Sequence, residues 1–450
     1  MTSDNVRLPN DPATADIPPP PAKKVSVWQA FTQPAAWTMF FFGFSSGLPF
    51  LLVAGTLAYW LKENGIVLKE ITVIASAGMT YALKFLWAPL LDQTQVPGFR
   101  RLGLRRGWLL LAQVAVVAGL LVMAMFTPSQ LMPFVVATVF VAFAGATQDI
   151  AVDAYRIEIA PPAAQGALVA TYSLGYRIAL IVTGALALAM ADHMPWATVY
   201  LCMAALMLLP IGANLMSREP ESYRESPATW REAMRIGVID PFVDFFRRYG
   251  AQTALLTLLF ILLFKVPEQA LVGGIMSPFY LSMGFAKTQI GAITKLYGTW
   301  VGIAGVFAGG MAIARWGVRL PLLLSIVVCA SCNLLYVWLT RHHGDLGALT
   351  LVISAENFSL GFLGTAAVAF LSSLVNRQHT ATQYALLSSM VNLPGKVLGV
   401  FAGRIVEATN YSTYFIIATI AVLPATLLFL YLWPRFRSAD AGAAKAAQAG

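Results

Sequence analysis

Long apolar runs alternate with short polar breaks along almost the whole chain. Each run is about 20 residues long, which is the length that an α-helix needs to cross a bilayer. The pattern predicts an all-α, polytopic membrane protein with twelve transmembrane helices. The predicted spans are 36–61, 69–90, 108–126, 131–159, 165–191, 195–216, 252–281, 287–313, 320–340, 346–375, 382–407 and 411–433.

Polar segments divide these spans into two halves of six helices. The halves are 36–216 and 252–434, joined by a linker at 217–251 and flanked by polar tails at 1–35 and 435–450. Both tails are predicted to be disordered because they hold few residues that could be buried. Two short segments of the first half match segments of the second half at nearly the same distance in sequence, which supports two parallel repeats. They pair Gln165–Leu168 with Gln383–Leu386 and Gly65–Ile71 with Gly284–Ile290.

Lys and Arg residues concentrate in the tails, the linker and the loops on one side of the predicted bundle. By the positive-inside rule, this asymmetry places both termini and the linker in the cytoplasm. Apolar side chains among the arginines of the linker favour an amphipathic helix on the inner membrane surface, and a plain linker is the alternative. These side chains are Trp230, Met234, Val238, Phe242 and Phe245.

Composition argues against a soluble enzyme and against nucleic-acid binding. Hydrophobic residues make up 58% of the chain and charged residues only 11%, whereas soluble domains carry about 25% charged residues. The net charge of +9 fits cationic cytoplasmic loops, and no basic patch suggests nucleic acid. The chain shows no nucleotide-binding loop, nucleophile elbow or metal-ligand spacing. These features predict a gradient-driven carrier and not a nucleotide-driven pump, without enzymatic activity, metal or cofactor.

One apolar run, Leu131–Glu158, contains four charged side chains. Asp149, Asp153 and Arg156 lie on one face of the predicted helix because they are four and three residues apart. Charges within hydrocarbon are unfavourable, so we expect them to face the bundle interior or a wet cavity. Two interpretations stay open: a structural ion-pair network, or a gate or proton relay of a transporter.

Further polar residues fall in the central third of the predicted bilayer. Three cations against two carboxylates there favour an anionic ligand. The two carboxylates, Glu268 and Glu356, are candidates for proton coupling, and Asp149 and Asp153 are further candidates. Lys265 and Glu268 are also spaced to pair with each other. The central residues are Arg177, Lys265, Glu268, Glu356, Asn357, Asn392 and Lys396.

Small residues in the first span suggest a second source of ligand contacts. We expect the helix around Gly43–Pro49 to be broken, so that Gly43 and Gly47 expose backbone groups to a cavity; close helix packing is the alternative. The predicted substrate-binding residues are Gly43, Gly47, Lys84, Gln148, Arg177, Lys265, Asn357, Asn392 and Lys396.

Asp92, at the end of the second predicted span, is followed by a cluster of arginines at 100–106. This arrangement resembles the signature loop of the major facilitator superfamily, in which an acid at a helix end pairs with cations and latches one conformation. The second half has Ala314 where the acid would stand, so we assign the latch to Asp92. Binding of the arginines to anionic lipid is the alternative. The predicted gating residues are Asp92, Arg105, Arg106 and Arg156.

Several segments, from the first span to the last, resemble those of the AmpG-type anhydromuropeptide permeases. They are Lys84–Asp92, Ala146–Ala154, Leu174–Arg177, Asp240–Phe246, Glu356–Phe358 and Thr380–Ser388. The resemblance implies a major facilitator fold and proton-driven import of GlcNAc-1,6-anhydroMurNAc peptides across the inner membrane of Gram-negative bacteria. It also implies roles in peptidoglycan recycling and β-lactam resistance. The expected partners are an anionic muropeptide, protons and the lipid bilayer, and the expected oligomeric state is a monomer.

Other functions are compatible with the residues alone. A carrier for another anion, such as an acyl-CoA or a siderophore, would need the same cationic cavity. A membrane sensor that binds a ligand without moving it is a third hypothesis, but a sensor has less need of buried protonatable groups. Some relatives of this type carry extra helices, whereas segment 217–251 is too polar for an additional pair.

Overall fold

The computed structural model describes residues 32–53, 55–66, 74, 76–126, 130–160, 164–221, 235, 239–270 and 275–435. All regular secondary structure in these ranges is helical. The predicted tails at 1–35 and 435–450 lie almost wholly outside the described residues, as do Trp230, Met234 and Val238 of the linker.

The first half of the chain contains long helices separated by short turns. Tight 3-10 turns lie at Ser76–Met79, Lys84–Leu86 and Arg100–Leu102, and a π-helical turn lies at Val182–Leu186. The α-helices are α1 Pro34–Leu52, α2 Gly55–Glu63, α3 Thr80–Leu83, α4 Ala88–Gln93, α5 Leu104–Met125, α6 Leu131–Ile159, α7 Gln165–Ile181, α8 Ala187–Ala191, α9 Trp196–Leu206 and α10 Leu208–Met216.

A short helix in the linker precedes the helices of the second half. The α-helices are α11 Asp240–Tyr249, α12 Ala251–Leu263, α13 Val266–Ala270, α14 Met276–Ser282, α15 Lys287–Ile290, α16 Gly298–Trp316, α17 Arg319–Leu339, α18 Leu346–Leu374, α19 Thr380–Ala408 and α20 Tyr411–Ile420. A turn at Phe264 and Lys265 separates α12 from α13, because Pro267 has no N–H to bond to the carbonyl of Leu263.

Ten helices within the described residues are long and apolar enough to cross a membrane. The predicted spans 69–90 and 382–407 are not among them. The first of these is present as the 3-10 turns and short helices from Ser76 to Gln93, and the second falls on α19. The multi-span helical architecture is thus confirmed, and the count of twelve stays a prediction.

The first span differs from the expectation of a broken helix around Gly43–Pro49. Helix α1 continues through this segment, with Pro49 inside it, and ends only at Leu52. The amide of Val53 still donates to the carbonyl of Pro49 (3.1 Å), so the last turn is retained. The break therefore lies after Leu52, before α2 begins at Gly55, and not within Gly43–Pro49, because the turn that follows the proline keeps its helical hydrogen bond.

Direct backbone contact between helices explains the buried glycines. A Cβ on Gly43 of α1 would overlap the carbonyl group of Tyr172 on α7, and a Cβ on Gly175 of α7 would overlap that of Phe40. In the second half, Gly361 of α18 touches the backbone of α16 in the same way. Small residues at these crossings permit the approach, as in many membrane-helix interfaces.

Helix α11 overlaps only the last part of the predicted amphipathic linker helix, at Phe242 and Phe245. Pro241 and Phe245 are buried, whereas Phe242 and Val243 are exposed. Gly250, with a φ of 74°, ends the helix, and α12 begins at the next residue. The left-handed backbone at Gly250 makes this sharp turn possible.

Candidate functional site

Two cavities lie between the halves of the bundle and share Asp149 and Tyr176 in their walls. The larger, of about 1070 Å³, lies between α7 and the helices α16 and α18. The smaller, of about 770 Å³, lies between residues 78–85 and α19. Because both halves contribute to each wall, the cavities form the two sides of one cleft.

Arg177 of α7 faces the larger cavity and reaches toward the other half. Its Nη1 donates to the carbonyl of Thr299 at 3.5 Å, and its guanidinium lies against Gly302. Among the described residues, Arg177 forms no ion pair. A partly buried cation without a carboxylate partner is available to an anionic ligand.

Asp149 of α6 lies in the shared wall with one carboxylate oxygen buried and without a hydrogen-bond partner in the described part of the chain. The buried polar atoms of Ser46, Tyr81 and Gln148 also lack partners there. Ser46 lies next to Asp149. Ionisable groups inside a membrane protein often mark proton or ligand pathways, so the buried carboxyl group of Asp149 is a candidate for proton transfer.

Asp153, one turn from Asp149, is fully partnered. Its oxygens lie 3.3 Å from Nζ of Lys84 and 3.4 Å from Nη2 of Arg156. Arg156 also donates to Oγ of Ser372 in the second half (3.0 Å) and lies over the ring of Tyr384. The structure thus places Lys84 and Asp153 in an ion-pair network and Arg156 in a contact between the halves.

Arg105, whose side chain is only 1% exposed, lies at the centre of a buried ion cluster. Its Nη2 donates to Asp92 (2.8 Å) and to Glu158 (2.6 Å), and its Nη1 donates to the carbonyl of Leu91 (3.0 Å). Asp92 and Arg105 therefore meet as the sequence indicates. Glu158 is a member that the sequence reasoning did not assign, although its place in the charged run was a signal.

Asp92 also binds the N-terminus of α19 in the other half. It accepts hydrogen bonds from the backbone amides of Ala381 (3.1 Å) and Thr382 (2.8 Å) and from the hydroxyl of Thr382 (2.8 Å). A helix N-terminus carries partial positive charge and free amides, so it is a suitable partner for a carboxylate. We call Asp92, Arg105, Glu158 and the N-terminus of α19 the latch.

Arg106 lies outside the latch. It donates to the carbonyls of Asn214 (3.0 Å) and Leu215 (2.9 Å) and so holds the end of α10. Glu219 accepts from the amides of Arg105 (2.7 Å) and Arg106 (3.0 Å), which caps α5. Burial raises the pKa of Glu219, and these two amides oppose the shift. The side-chain contacts of Arg106 thus lie within the first half, and its gating role stays a prediction.

The remaining predicted acids have partners inside the second half. Lys265 and Glu268 form an ion pair of 3.2 Å. Glu356 accepts a hydrogen bond from Tyr336, whose hydroxyl is 3.0 Å from that of Tyr280. These residues do not line the two cavities described above.

The other predicted ligand-binding residues divide into three groups. Gly43 and Gly47 pack against the backbone of α7, so the packing alternative explains them better than ligand contact. Asn357 donates to the carbonyl of Ile353 in its own helix (3.0 Å). Asn392 and Lys396 lie on α19, and their side chains are outside the described part of the structure.

Replacing Thr382 with Val is expected to weaken the latch. The change removes one hydrogen bond to a buried carboxylate, worth about 1.5–3 kcal/mol, which would shift the conformational equilibrium away from the latched state about tenfold or more. Spin labels at the exposed positions Arg101 and Gln378 would report the change as a longer distance distribution.

Thr409→Val is the matched control for this measurement. The hydroxyl of Thr409 lies at the other end of α19 and donates to the carbonyl of Ile405 at 2.6 Å. A distance distribution that is the same in Thr382→Val, Thr409→Val and the wild type would show that the hydroxyl does not hold the latch.

Comparison with known proteins assigns the family. The model described as Major Facilitator Superfamily matches residues 36–267. A putative transporter AmpG 4 of Rickettsia conorii is 34% identical over 402 residues, covering 88% of this chain and 95% of that protein. The anhydromuropeptide permease of Escherichia coli is 34% identical over 403 residues, covering 89% and 80%.

Solved structures of the same fold agree with the helical arrangement. The proton:xylose symporter XylE bound to 6-bromo-6-deoxy-D-glucose superposes with a TM-score of 0.63 at 14% identity, covering 89% of this chain and 95% of that one. The human organic anion transporter MFSD10 gives 0.58 at 17% identity, with 91% and 100% covered. The protein is thus a multi-pass transporter and not an enzyme. The chain belongs to the major facilitator superfamily and is related, over most of its length, to the AmpG-type anhydromuropeptide permeases.

Proposed function

We propose that this protein imports anhydromuropeptides, GlcNAc-1,6-anhydroMurNAc and its peptides, from the periplasm into the cytoplasm by proton symport. The observation that carries the proposal is Arg177, which forms no ion pair among the described residues and lies in a cleft between the halves of a chain 34% identical to an anhydromuropeptide permease. The protein would act as a monomer in the bacterial inner membrane, with both termini in the cytoplasm. It would serve peptidoglycan recycling and, through it, β-lactam resistance.

Recognition of the cargo would begin at Arg177. Muropeptides carry carboxylates, and a guanidinium binds a carboxylate through two parallel hydrogen bonds. The rings of Tyr172 and Tyr176, with centroids 6.3 Å apart, offer flat surfaces for sugar rings. A cavity of about 1070 Å³ is at the upper end of the roughly 300–1,000 Å³ that ligand pockets occupy. This size suits a disaccharide with a short peptide.

Proton coupling would use Asp149. Of the four candidate acids, Asp153 and Glu268 form ion pairs and Glu356 accepts a hydrogen bond from Tyr336. Asp149 forms no ion pair among the described residues, and one of its oxygens is buried there without a hydrogen bond. Asp149 also lies in the cleft itself. It would take up a proton from the periplasmic side and release it to the cytoplasm, so that its charge changes where the cargo binds.

Alternation of access would depend on the latch. The Lys and Arg asymmetry of the loops orients the latch toward the cytoplasm, so its closure blocks that end of the cleft. Protonation and cargo binding would favour rotation of the halves, which separates Asp92 from α19 and Arg156 from Ser372. Return to the latched state would follow release of both.

The test is uptake of a labelled anhydromuropeptide into proteoliposomes that contain the purified full-length protein and carry an inward proton gradient. Accumulation above the external concentration, abolished by a protonophore, is expected. Arg177→Gln should raise the KM for cargo with two carboxylates, whereas Arg341→Gln, at an exposed loop position, should not.

Three results would contradict the proposal in different ways. Equal KM values in Arg177→Gln and Arg341→Gln would remove Arg177 from recognition. Accumulation of an acyl-CoA or a siderophore in place of the muropeptide would assign a different anion. Tight binding without accumulation under the gradient would assign a sensor.

A further inference from the structure

An apolar cavity of about 310 Å³ lies between α11 and the helices α12 and α19. Aromatic and aliphatic side chains form its wall, among them Phe242, Phe246, Leu258 and Leu387. Apolar cavities do not hold water stably, and an empty one loses dispersion contacts along its lining. The cavity therefore favours an apolar occupant.

The position of α11 identifies the environment from which that occupant comes. The helix ends at Tyr249, and the transmembrane helix α12 begins at Ala251, so α11 lies at the membrane boundary. Ile239, Phe242 and Val243 are exposed by 57%, 44% and 54%. Apolar side chains presented at this depth belong at the boundary between headgroups and acyl chains.

The exposed side of α11 carries a net positive charge once internal pairs are counted. Asp244 accepts from Asn376 (3.0 Å), Gln383 (2.9 Å) and Arg248 (2.9 Å), so its charge is balanced within the fold. Arg247 lies one turn from the exposed Val243 on α11, is itself exposed, and has no ion pair among the described residues. A free arginine at the membrane surface attracts anionic headgroups.

We propose that this cavity binds one acyl chain of an anionic phospholipid whose headgroup contacts Arg247. Thr382 and Gln383 also line the cavity. Thr382 is bonded to Asp92 of the latch, and Gln383 is bonded to Asp244. A bound acyl chain packs against both side chains and so favours the latched state. The inference requires only that the protein is embedded in a membrane, and it is independent of the cargo.

Competitive lipid binding to the delipidated, full-length protein in detergent tests the proposal. With phosphatidylglycerol and phosphatidylcholine supplied in equal amounts, native mass spectrometry should show preferential retention of phosphatidylglycerol. Leu258→Trp fills the cavity and should abolish this retention. Leu259→Trp, at a neighbouring position that is 44% exposed, is the matched control and should retain the lipid as the wild type does.

The headgroup contact has its own variant. Arg247→Gln alters an exposed side chain, so it leaves the fold intact, and it should bind both lipids equally well. Arg341→Gln is its control. Wild-type retention of phosphatidylglycerol in Leu258→Trp would overturn the cavity as the site. If Arg247→Gln retained phosphatidylglycerol over phosphatidylcholine as strongly as the wild type does, the anionic headgroup contact would be overturned. The same would follow if the wild type showed no preference between the two lipids. Both results can be obtained even if Leu258→Trp fails to fold.

Discussion

Arg105→Gln should lower the free energy of unfolding by about 3–5 kcal/mol, because it leaves two buried carboxylates without their cation. Asp92 and Glu158 both lie within 2.8 Å of Nη2 of Arg105, and each of the three side chains is at most 1% exposed. Arg105→Lys should restore only part of the loss, since an ammonium group cannot bind both acids and the carbonyl of Leu91 in the same geometry.

Denaturant titration of the purified protein in mixed micelles measures this effect. Arg101→Gln, an exposed arginine of the same loop, is the control, and its change should stay within about 0.5 kcal/mol. The double variant Arg105→Gln/Glu158→Gln should be more stable than additivity predicts, because it removes an uncompensated charge. Equal stabilities of Arg105→Gln and Arg101→Gln would show that the ion cluster contributes nothing to the fold.

Asp149→Asn is expected to reduce gradient-driven accumulation of cargo to the level of protein-free liposomes. Asparagine has nearly the same shape but cannot carry a proton, so the cycle loses its coupling. Exchange of internal for external cargo, which needs no net proton movement, should persist and become independent of pH. The fold should tolerate the change, since the buried oxygen of Asp149 has no hydrogen bond to lose among the described residues.

Glu268→Gln is the matched control for coupling. Its carboxylate is already paired with Lys265, so the variant should retain uphill transport if it folds. Full accumulation by Asp149→Asn under the same gradient would exclude this carboxyl group as the coupling site. Loss of accumulation in Glu268→Gln, with Asp149→Asn unaffected, would move the coupling site into the second half.

The sequence predicted the parts of the fold that depend on local apolar length and on charge spacing. Ten helices long enough to cross the membrane appear where runs of about 20 apolar residues occur, and the pairing of Asp153 with Arg156 follows from their spacing on one helix. The meeting of Asp92 with Arg105 was implied by the resemblance of the loop to a known signature.

Other features depend on contacts between distant segments. The amides of Ala381 and Thr382 carry no side-chain signature, so their bonds to Asp92 could not be identified from residue types. Gln148 and Asp149 are adjacent in sequence, but their residue types do not reveal that both polar atoms of Gln148 and one oxygen of Asp149 are buried without partners in the described part of the chain. Gly43 was predicted to contact the ligand because the sequence does not distinguish a glycine in a binding site from a glycine at a helix crossing, such as that of α1 and α7.

The crossing of α1 and α7 also affects how genetic data on this protein should be interpreted. Because Gly43 and Gly175 each admit a neighbouring backbone where a Cβ would stand, any larger residue there forces the helices apart. A strain that carries such a substitution would lose transport because the protein does not fold, although all residues that contact the cargo are those of the wild type. Membrane abundance must therefore be compared before inactivating alleles in α1 are taken as a map of substrate recognition.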